Sequence, residues 1–207
     1  MNYIKNDFFI CIYTQKVHQT LKQITQTKMS LSKKIVVIGG AKVGKTTFVR
    51  RVRSADYRPQ LYAPTMGVEI NPKEFNLGNK KCVFNFWDCA GDDRYGGLRD
   101  GYYIRADAAI LMFDLSNVKE SLKQLEIYRK DFQRVCGNKP IVIVGTHADK
   151  RNVEIENFKE KMEEKFKCKY FESSAMDASR VDIQPIFRHL GMLCITLAES
   201  IKIRQQL

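Results

Sequence analysis

The chain has no Cys-x-x-Cys pair, and none of its six cysteines, Cys11, Cys82, Cys89, Cys136, Cys168 and Cys194, has histidines at zinc spacing. Structural zinc is therefore not expected, and the scattered thiols read as reduced cysteines of a cytosolic or nuclear compartment. Nor is there an apolar run long enough to cross a bilayer. The burst Phe8-Phe9-Ile10-Cys11-Ile12-Tyr13 is too short to span. It is followed by no small-residue cleavage site and sits in a stretch without arginine, which argues against secretory and transit peptides alike. No Lys/Arg block is interleaved with aromatic residues, so direct nucleic-acid binding is not expected. Acidic residues are in the minority, 23 against 35 basic, for a formal charge of +12. That balance suits acidic partners, or simply a solvated basic surface, and does not choose between them. Internal repeats and long low-complexity segments are missing too.

What is present suits one globular domain large enough to bury a core without disulfide staples. Residues 1–32 read as a flexible N-terminal extension, the apolar burst giving way to a Gln/Thr-rich stretch, and 33–207 as one domain ending in a C-terminal helix. From Lys33 onward β and α patterns alternate. Strands are expected at Lys34–Ile38, Val68–Leu77, Lys80–Trp87, Ala108–Asp114, Pro140–Gly145 and Cys168–Glu172. The Gly78-Asn79 turn makes the second and third an antiparallel hairpin. Helices are expected near Lys45–Arg53, Val118–Cys136, Ile155–Phe166 and Val181–Gln205. Leu122, Leu125, Tyr128 and Phe132 give the second its apolar stripe, and Ile183, Ile186, Phe187, Leu190 and Leu197 give the last one its own. The pattern predicts an α/β fold: a mostly parallel six-stranded sheet with one antiparallel edge hairpin and helices on both faces.

The most informative stretch follows the first strand: Gly39-Gly40-Ala41-Lys42-Val43-Gly44-Lys45-Thr46-Thr47. A buried strand running into Gly-x-x-x-x-Gly-Lys-Thr and then a helix is the phosphate loop of a nucleotide triphosphatase. Backbone N–H groups wrap a polyphosphate only where side chains are small, and the helix that follows aims its positive dipole end at the anion. Lys45 suits the β- and γ-phosphates, and the Thr46 hydroxyl is a hard oxygen ligand for Mg²⁺. A dinucleotide-binding Gly-x-Gly-x-x-Gly fits poorly, because Ala41 stands at its middle glycine and Lys45-Thr46 would go unexplained.

Further along, Thr65 lies in a loop before the second strand, where its hydroxyl can complete a Mg²⁺ shell when a γ-phosphate is present. Asp88 is placed at the end of the third strand as a metal-holding acid, and Gly91 as a backbone donor to the γ-phosphate. After the fifth strand comes Gly145-Thr146-His147-Ala148-Asp149, whose Asp149 carboxylate matches the N1–H and amino group of guanine. A helix N-terminal acid is the plainer reading of Asp149; its position past the long helix favours base recognition. Ser173-Ser174-Ala175-Met176 can bring a backbone N–H to the guanine oxygen.

Taken in order, the phosphate loop, Pro64-Thr65, Trp87-Asp88-Cys89-Ala90-Gly91, Thr146 with Asp149, and Ser174-Ala175 resemble the boxes of the Ras-like small GTPases over about residues 33–198. The run Gly96-Gly97-Leu98-Arg99-Asp100-Gly101-Tyr102-Tyr103-Ile104 is similar to the Ran branch. So are Gly67-Val68-Glu69-Ile70, Met112-Phe113-Asp114 and Arg134-Val135-Cys136. The resemblance implies a Mg²⁺-dependent GTPase binding GTP and GDP, a monomer of nucleus and cytoplasm. Its implied partners are karyopherin-like transport receptors, a GTPase activator and an exchange factor. Tyr57, at the head of the loop ending in Thr65, joins the implied nucleotide-binding residues.

Several positions depart from the family. Asp92 follows Gly91 where active members carry a water-orienting Gln, so slow hydrolysis is expected. Ala41 and Lys42 replace glycines, and Lys42 either adds charge near the phosphates or points to solvent. His147 replaces a Lys whose stem lies against the base, and Met176 replaces a polar clamp, which lowers the expected nucleotide affinity. The loop from Tyr57 to Thr65 is one residue longer than usual. The last residues, Ile201-Lys202-Ile203-Arg204-Gln205-Gln206-Leu207, include neither the acidic tail of the Ran branch nor a cysteine for prenylation. A membrane anchor is therefore not expected.

Overall fold

The strand β1 (Leu31–Ile38) forms where Ile35, Val36, Val37 and Ile38 give an unbroken apolar run, buried on both faces because it lies inside the sheet. The computed structural model describes residues 31–54, 56–58, 61–77, 80–91, 99–151, 156–174, 176 and 184–205. After β1 come α1 (Lys45–Arg53), the strands β2 (Val68–Leu77) and β3 (Lys80–Cys89), and the short helix α2 (Arg99–Tyr103). Then follow β4 (Ala108–Asp114), α3 (Val118–Cys136), β5 (Ile141–Thr146), α4 (Phe158–Phe166), β6 (Tyr170–Glu172) and α5 (Gln184–Gln205). Single 3-10 turns occupy Leu115–Asn117 and Ala148–Lys150.

The sheet order is β2-β3-β1-β4-β5-β6, and only the β2/β3 pair is antiparallel. Alternation along the strands divides the core in two. Ile35 and Val37 face one side with Phe48, Val49 and Val52 of α1 and Ile186, Phe187 and Leu190 of α5. Val36 and Ile38 face the other with Tyr103 of α2, Leu125, Tyr128 and Phe132 of α3, and Met162 and Phe166 of α4. This is the expected α/β architecture with helices on both faces. Phe187 is the hub of the first cluster, its ring centroid 4.6 Å from Phe75, 5.4 Å from Phe86 and 6.1 Å from Phe48. Because β1, β3, β4 and β5 run parallel, Ile38, Asp88, Asp114 and Thr146 emerge on one edge of the sheet, where ligands of such folds bind.

Several boundaries differ from the sequence reading. β1 begins at Leu31 rather than Lys34, because its first residues pair with Cys82, Val83 and Phe84 of β3 alone. β3 runs on through Asp88 to Cys89, which pairs with Val68, so Asp88 lies inside the strand rather than at its end. β5 is shifted by one, from Pro140–Gly145 to Ile141–Thr146: Pro140 has no N–H to give the ladder, and Thr146 pairs with Asp114. β6 starts at Tyr170, because Lys167 takes a left-handed conformation that delays the strand. α4 starts at Phe158, after a left-handed Asn157. Arg99–Tyr103, which reads as a glycine- and tyrosine-rich loop, is helical. Tyr103 is fully buried there, and Asp100 meets Arg134 of α3 through two hydrogen bonds of 2.8 and 2.9 Å. Leu77 pairs with Lys80, as a two-residue hairpin requires. Gly78-Asn79, Ile183, residues 96–98 and residues 1–30 lie outside the described residues.

Candidate nucleotide site

Between β1 and α1 the backbone turns through Gly44, whose φ of 86° is left-handed and strains any residue with a Cβ. Val43 is buried as the loop's apolar anchor, whereas Ala41 and Lys42 are exposed at its tip. Lys42 is itself left-handed at φ 62°, which explains why a glycine suits this position. Its ammonium lies 5.4 Å from the centroid of the Tyr62 ring, at the mouth of the site. The side chain is exposed there, as the solvent reading expects, with the exposed Tyr62 ring as its neighbour.

Lys45 opens α1 and is buried. Its ammonium donates to the carbonyls of Gly39 at 2.9 Å and Gly40 at 2.8 Å, so the side chain arches over the loop. A buried ammonium needs such acceptors. Even so, burial lowers its pKa to about 8, against the opposing pull of the Asp88 carboxylate. Gly91 closes against this arch. A Cβ there would strike both the Gly40 carbonyl and the Lys45 ammonium, so only glycine fits. Tyr128 of α3 donates to the Gly91 carbonyl at 3.2 Å from the other side.

The Thr46 and Thr65 hydroxyls are 2.8 Å apart, joining α1 to the loop before β2. Asp88 is fully buried, and neither of its carboxylate oxygens has a hydrogen-bond partner among the described residues. Burial raises its pKa; the Thr46 hydroxyl and the Lys45 charge pull the other way, although Thr46 approaches without making a well-formed bond. An unpartnered buried carboxylate beside two hydroxyls is an all-oxygen donor set, the kind Mg²⁺ takes. The residues present therefore fit that cation.

The base-side loop is tied to the phosphate loop through Thr146. Its hydroxyl lies 2.7 Å from the Val43 carbonyl and 2.9 Å from the Phe113 carbonyl, so one buried side chain bridges both strand ends and the loop. His147 is left-handed at φ 54°, with its Nε2 beside Gly44. Its Nδ1 lies 2.9 Å from Asp114 Oδ1, without the alignment of a hydrogen bond. Asp114 gives that same oxygen to the amide and hydroxyl of Ser116. Asp149 is exposed and accepts a short hydrogen bond from Ser174, whose oxygen also receives the Met176 amide at 3.2 Å. The Met176 side chain is exposed. Thus the two loops expected to read a base meet through Asp149 and Ser174.

Thr46, Thr47, Tyr57 and Thr65 line a cavity of about 760 Å³ that reaches from Gly91 to His147. Tyr57 is held there by Arg51, which donates to its carbonyl at 2.9 Å. Arg50, Glu69 and Lys150 also line the cavity and were not foreseen. Nor was Gln124, whose side-chain oxygen lies where a Cβ on Gly40 would go. Gln124 and Tyr128 sit one helical turn apart on α3, a spacing that reads equally as ordinary core packing. Asp92 and Ala175 lie outside the described residues.

The sequence profile of the Ras family matches residues 34–192. The chain belongs to the Ras family. Its members are GTP-binding GTPase switches that bind GTP or GDP with Mg²⁺ and work through activators, exchange factors and effectors; that general function extends to this chain. No helix among the described residues is long and apolar enough to cross a membrane.

Proposed function

We propose that this chain is a slow-hydrolysing, partner-controlled GTP switch of the Ran kind, which holds karyopherin-like transport receptors in its GTP form and moves between nucleus and cytoplasm. The observation that carries the hydrolysis part is the fit of Gly91 against Gly40 and Lys45, with no room for a Cβ. The next residue in the sequence is Asp92, at the position where the resemblance implies a water-orienting Gln. An ionised carboxylate accepts hydrogen bonds but donates none, and it repels a γ-phosphate. The water-orienting group of an active member is thus replaced by one that opposes the reaction. The transport part rests on the run Gly96–Ile104 and its companion segments in the sequence; a Ras- or Rab-type role in signalling or traffic fits the family match equally well.

The chain's own residues divide the work as follows. Gly39, Gly40 and Val43 to Thr47 supply the cradle, with Ala41 and Lys42 at its rim. Lys45 holds a proton on Nζ next to the phosphates, where its fixed charge stabilises the charge that develops as water attacks. Thr46, Thr65 and Asp88 would hold Mg²⁺, which when bound neutralises the polyphosphate. Thr146, His147, Asp149, Ser174 and Met176 would surround the base, with the Asp149 carboxylate selecting guanine; Ala175 joins them by its place in the sequence. Tyr57, in the wall of the same cavity, would contact the nucleotide.

Single-turnover hydrolysis of radiolabelled GTP by the purified chain tests the reading. Asp92→Gln should speed the reaction, by roughly tenfold or more given the 10²–10³ typical of one transition-state donor. An unchanged rate sinks the account of Asp92. Capture of transport receptors by the GTP-loaded but not the GDP-loaded protein separates the transport role from vesicle traffic.

A further inference from the structure

A second cavity, about 700 Å³, lies at the opposite end of the sheet from the phosphate loop, where α3 ends and β5 begins. β5 connects the two: Ile141 lines this cavity and Thr146 touches the phosphate loop, five residue steps or roughly 17 Å away. Its floor is apolar, built from Ile141, Phe166 of α4 and Leu193 of α5. Its rim is cationic. Arg129 stacks its guanidinium 5.7 Å from the Phe166 ring centroid, and its buried Nε has no acceptor. Lys139 enters from the α3–β5 connection and Lys167 from the α4–β6 connection, so the charges stand on two sides of the groove. Neither lysine forms an ion pair with a described residue. Glu163, the one acid among the described lining residues, is engaged by Lys169 at 2.9 Å and by the Tyr170 amide at 3.2 Å. The positive field is felt by His189 in the same wall: burial first, then Lys169, lowers its pKa.

Unpaired cations around an apolar floor call for a ligand with carboxylates and an apolar side chain together. A single-headed amphiphile satisfies one cation and leaves the other bank empty, whereas a peptide can reach both. A second copy is disfavoured by charge, since each chain carries +12. We propose that this groove docks an acidic segment of a partner protein, with an apolar side chain on the Ile141–Phe166 floor and carboxylates against Arg129, Lys139 and Lys167. The site is independent of the nucleotide chemistry.

The test uses the full chain loaded with GDP and a short fluorescein-labelled peptide of Glu, Asp, Leu and Phe, followed by anisotropy. One control peptide replaces the apolar residues with Ser, and another replaces the acids with Lys. The acidic apolar peptide should bind alone, more weakly as salt rises. Lys139→Glu with Lys167→Glu should weaken it at least about tenfold while leaving the melting temperature and GDP retention unchanged, a loss of about 1.4 kcal/mol. Arg129→Gln, which leaves both lysines in place, should weaken it separately. Equal binding of the Ser control overturns the proposal, because the apolar floor then plays no part. So does undiminished binding to the charge-reversed variant, or no binding at all. Self-association of the parent that the variant loses also overturns it, by assigning the groove to a second copy.

Discussion

The hydroxyls of Thr46 and Thr65 meet at 2.8 Å, bridging the first turn of α1 and the loop that precedes β2. Two segments nineteen residues apart are thereby latched at the point where a cation and a terminal phosphate would lie. Thr65→Ala opens the latch and removes one oxygen donor. GTP affinity should fall about tenfold, in line with one hydrogen bond to a charged group, and GDP affinity much less. Competition binding with the two nucleotides at fixed Mg²⁺ reads the difference.

Asp88 has the opposite problem, an acid sealed in the core without a donor. Its folded pKa is raised, so the folded form binds its proton more tightly than the unfolded form does. The contribution of Asp88 to stability without nucleotide or Mg²⁺ is therefore fully present below the ordinary carboxylate pKa and is lost as pH rises through the raised folded value. Asp88→Asn should abolish that decline and stabilise the stripped protein at neutral pH by about 1–2 kcal/mol, the scale of an unpaired buried polar group. The same change should remove the Mg²⁺ dependence of nucleotide binding. Melting curves in chelator and in Mg²⁺ separate the two effects.

Lys45 loses its proton near pH 8 in the nucleotide-free protein. A bound polyphosphate holds that proton, so binding above pH 8 requires proton uptake. Nucleotide affinity should be level up to about pH 8 and fall by up to about tenfold per pH unit beyond it. For folding the sign is reversed: the unfolded chain keeps its proton up to the ordinary lysine value, so Lys45 makes stability rise between pH 8 and about 10.5. Calorimetry in buffers of different ionisation enthalpy measures the proton uptake directly.

The Thr146 side chain reaches both the phosphate loop, at the Val43 carbonyl, and the end of β4, at the Phe113 carbonyl. Thr146→Val keeps its shape and leaves the Val43 and Phe113 carbonyls without this donor. A stability loss of about 1–3 kcal/mol is expected, with faster nucleotide release from a loosened loop. If the stability falls but the release rate stays unchanged, Thr146 is a strut of the core and does not hold the loop.

Periodicity alone was enough for the existence of the six strands and for the helix α3, because apolar runs such as Ala108–Met112 have few ways to be buried; the order of the boxes came from motif spacing and family resemblance. Gly44 and Lys45 announced the phosphate loop because few other folds need that spacing. The short helix α2 was not legible: Gly101 argues against a helix locally, and only the burial of Tyr103 and the Asp100–Arg134 pair favour it. The residues Tyr128, Gln124 and Asp114 escaped for a related reason, since each looks like packing or capping until its partner is known.

The sequence by itself determined the chemistry on offer: a glycine-lined loop, a lysine, two threonines, an internal acid and a distant Asp, because those residue types are what a triphosphate, a divalent cation and guanine require. Tertiary structure alone decided which of them meet. The parallel sheet carries Asp88, Asp114 and Thr146 to one edge and leaves Arg129, Lys139 and Lys167 around a groove at the other. No local pattern encodes that separation, because it arises from how strands far apart in the chain pair side by side.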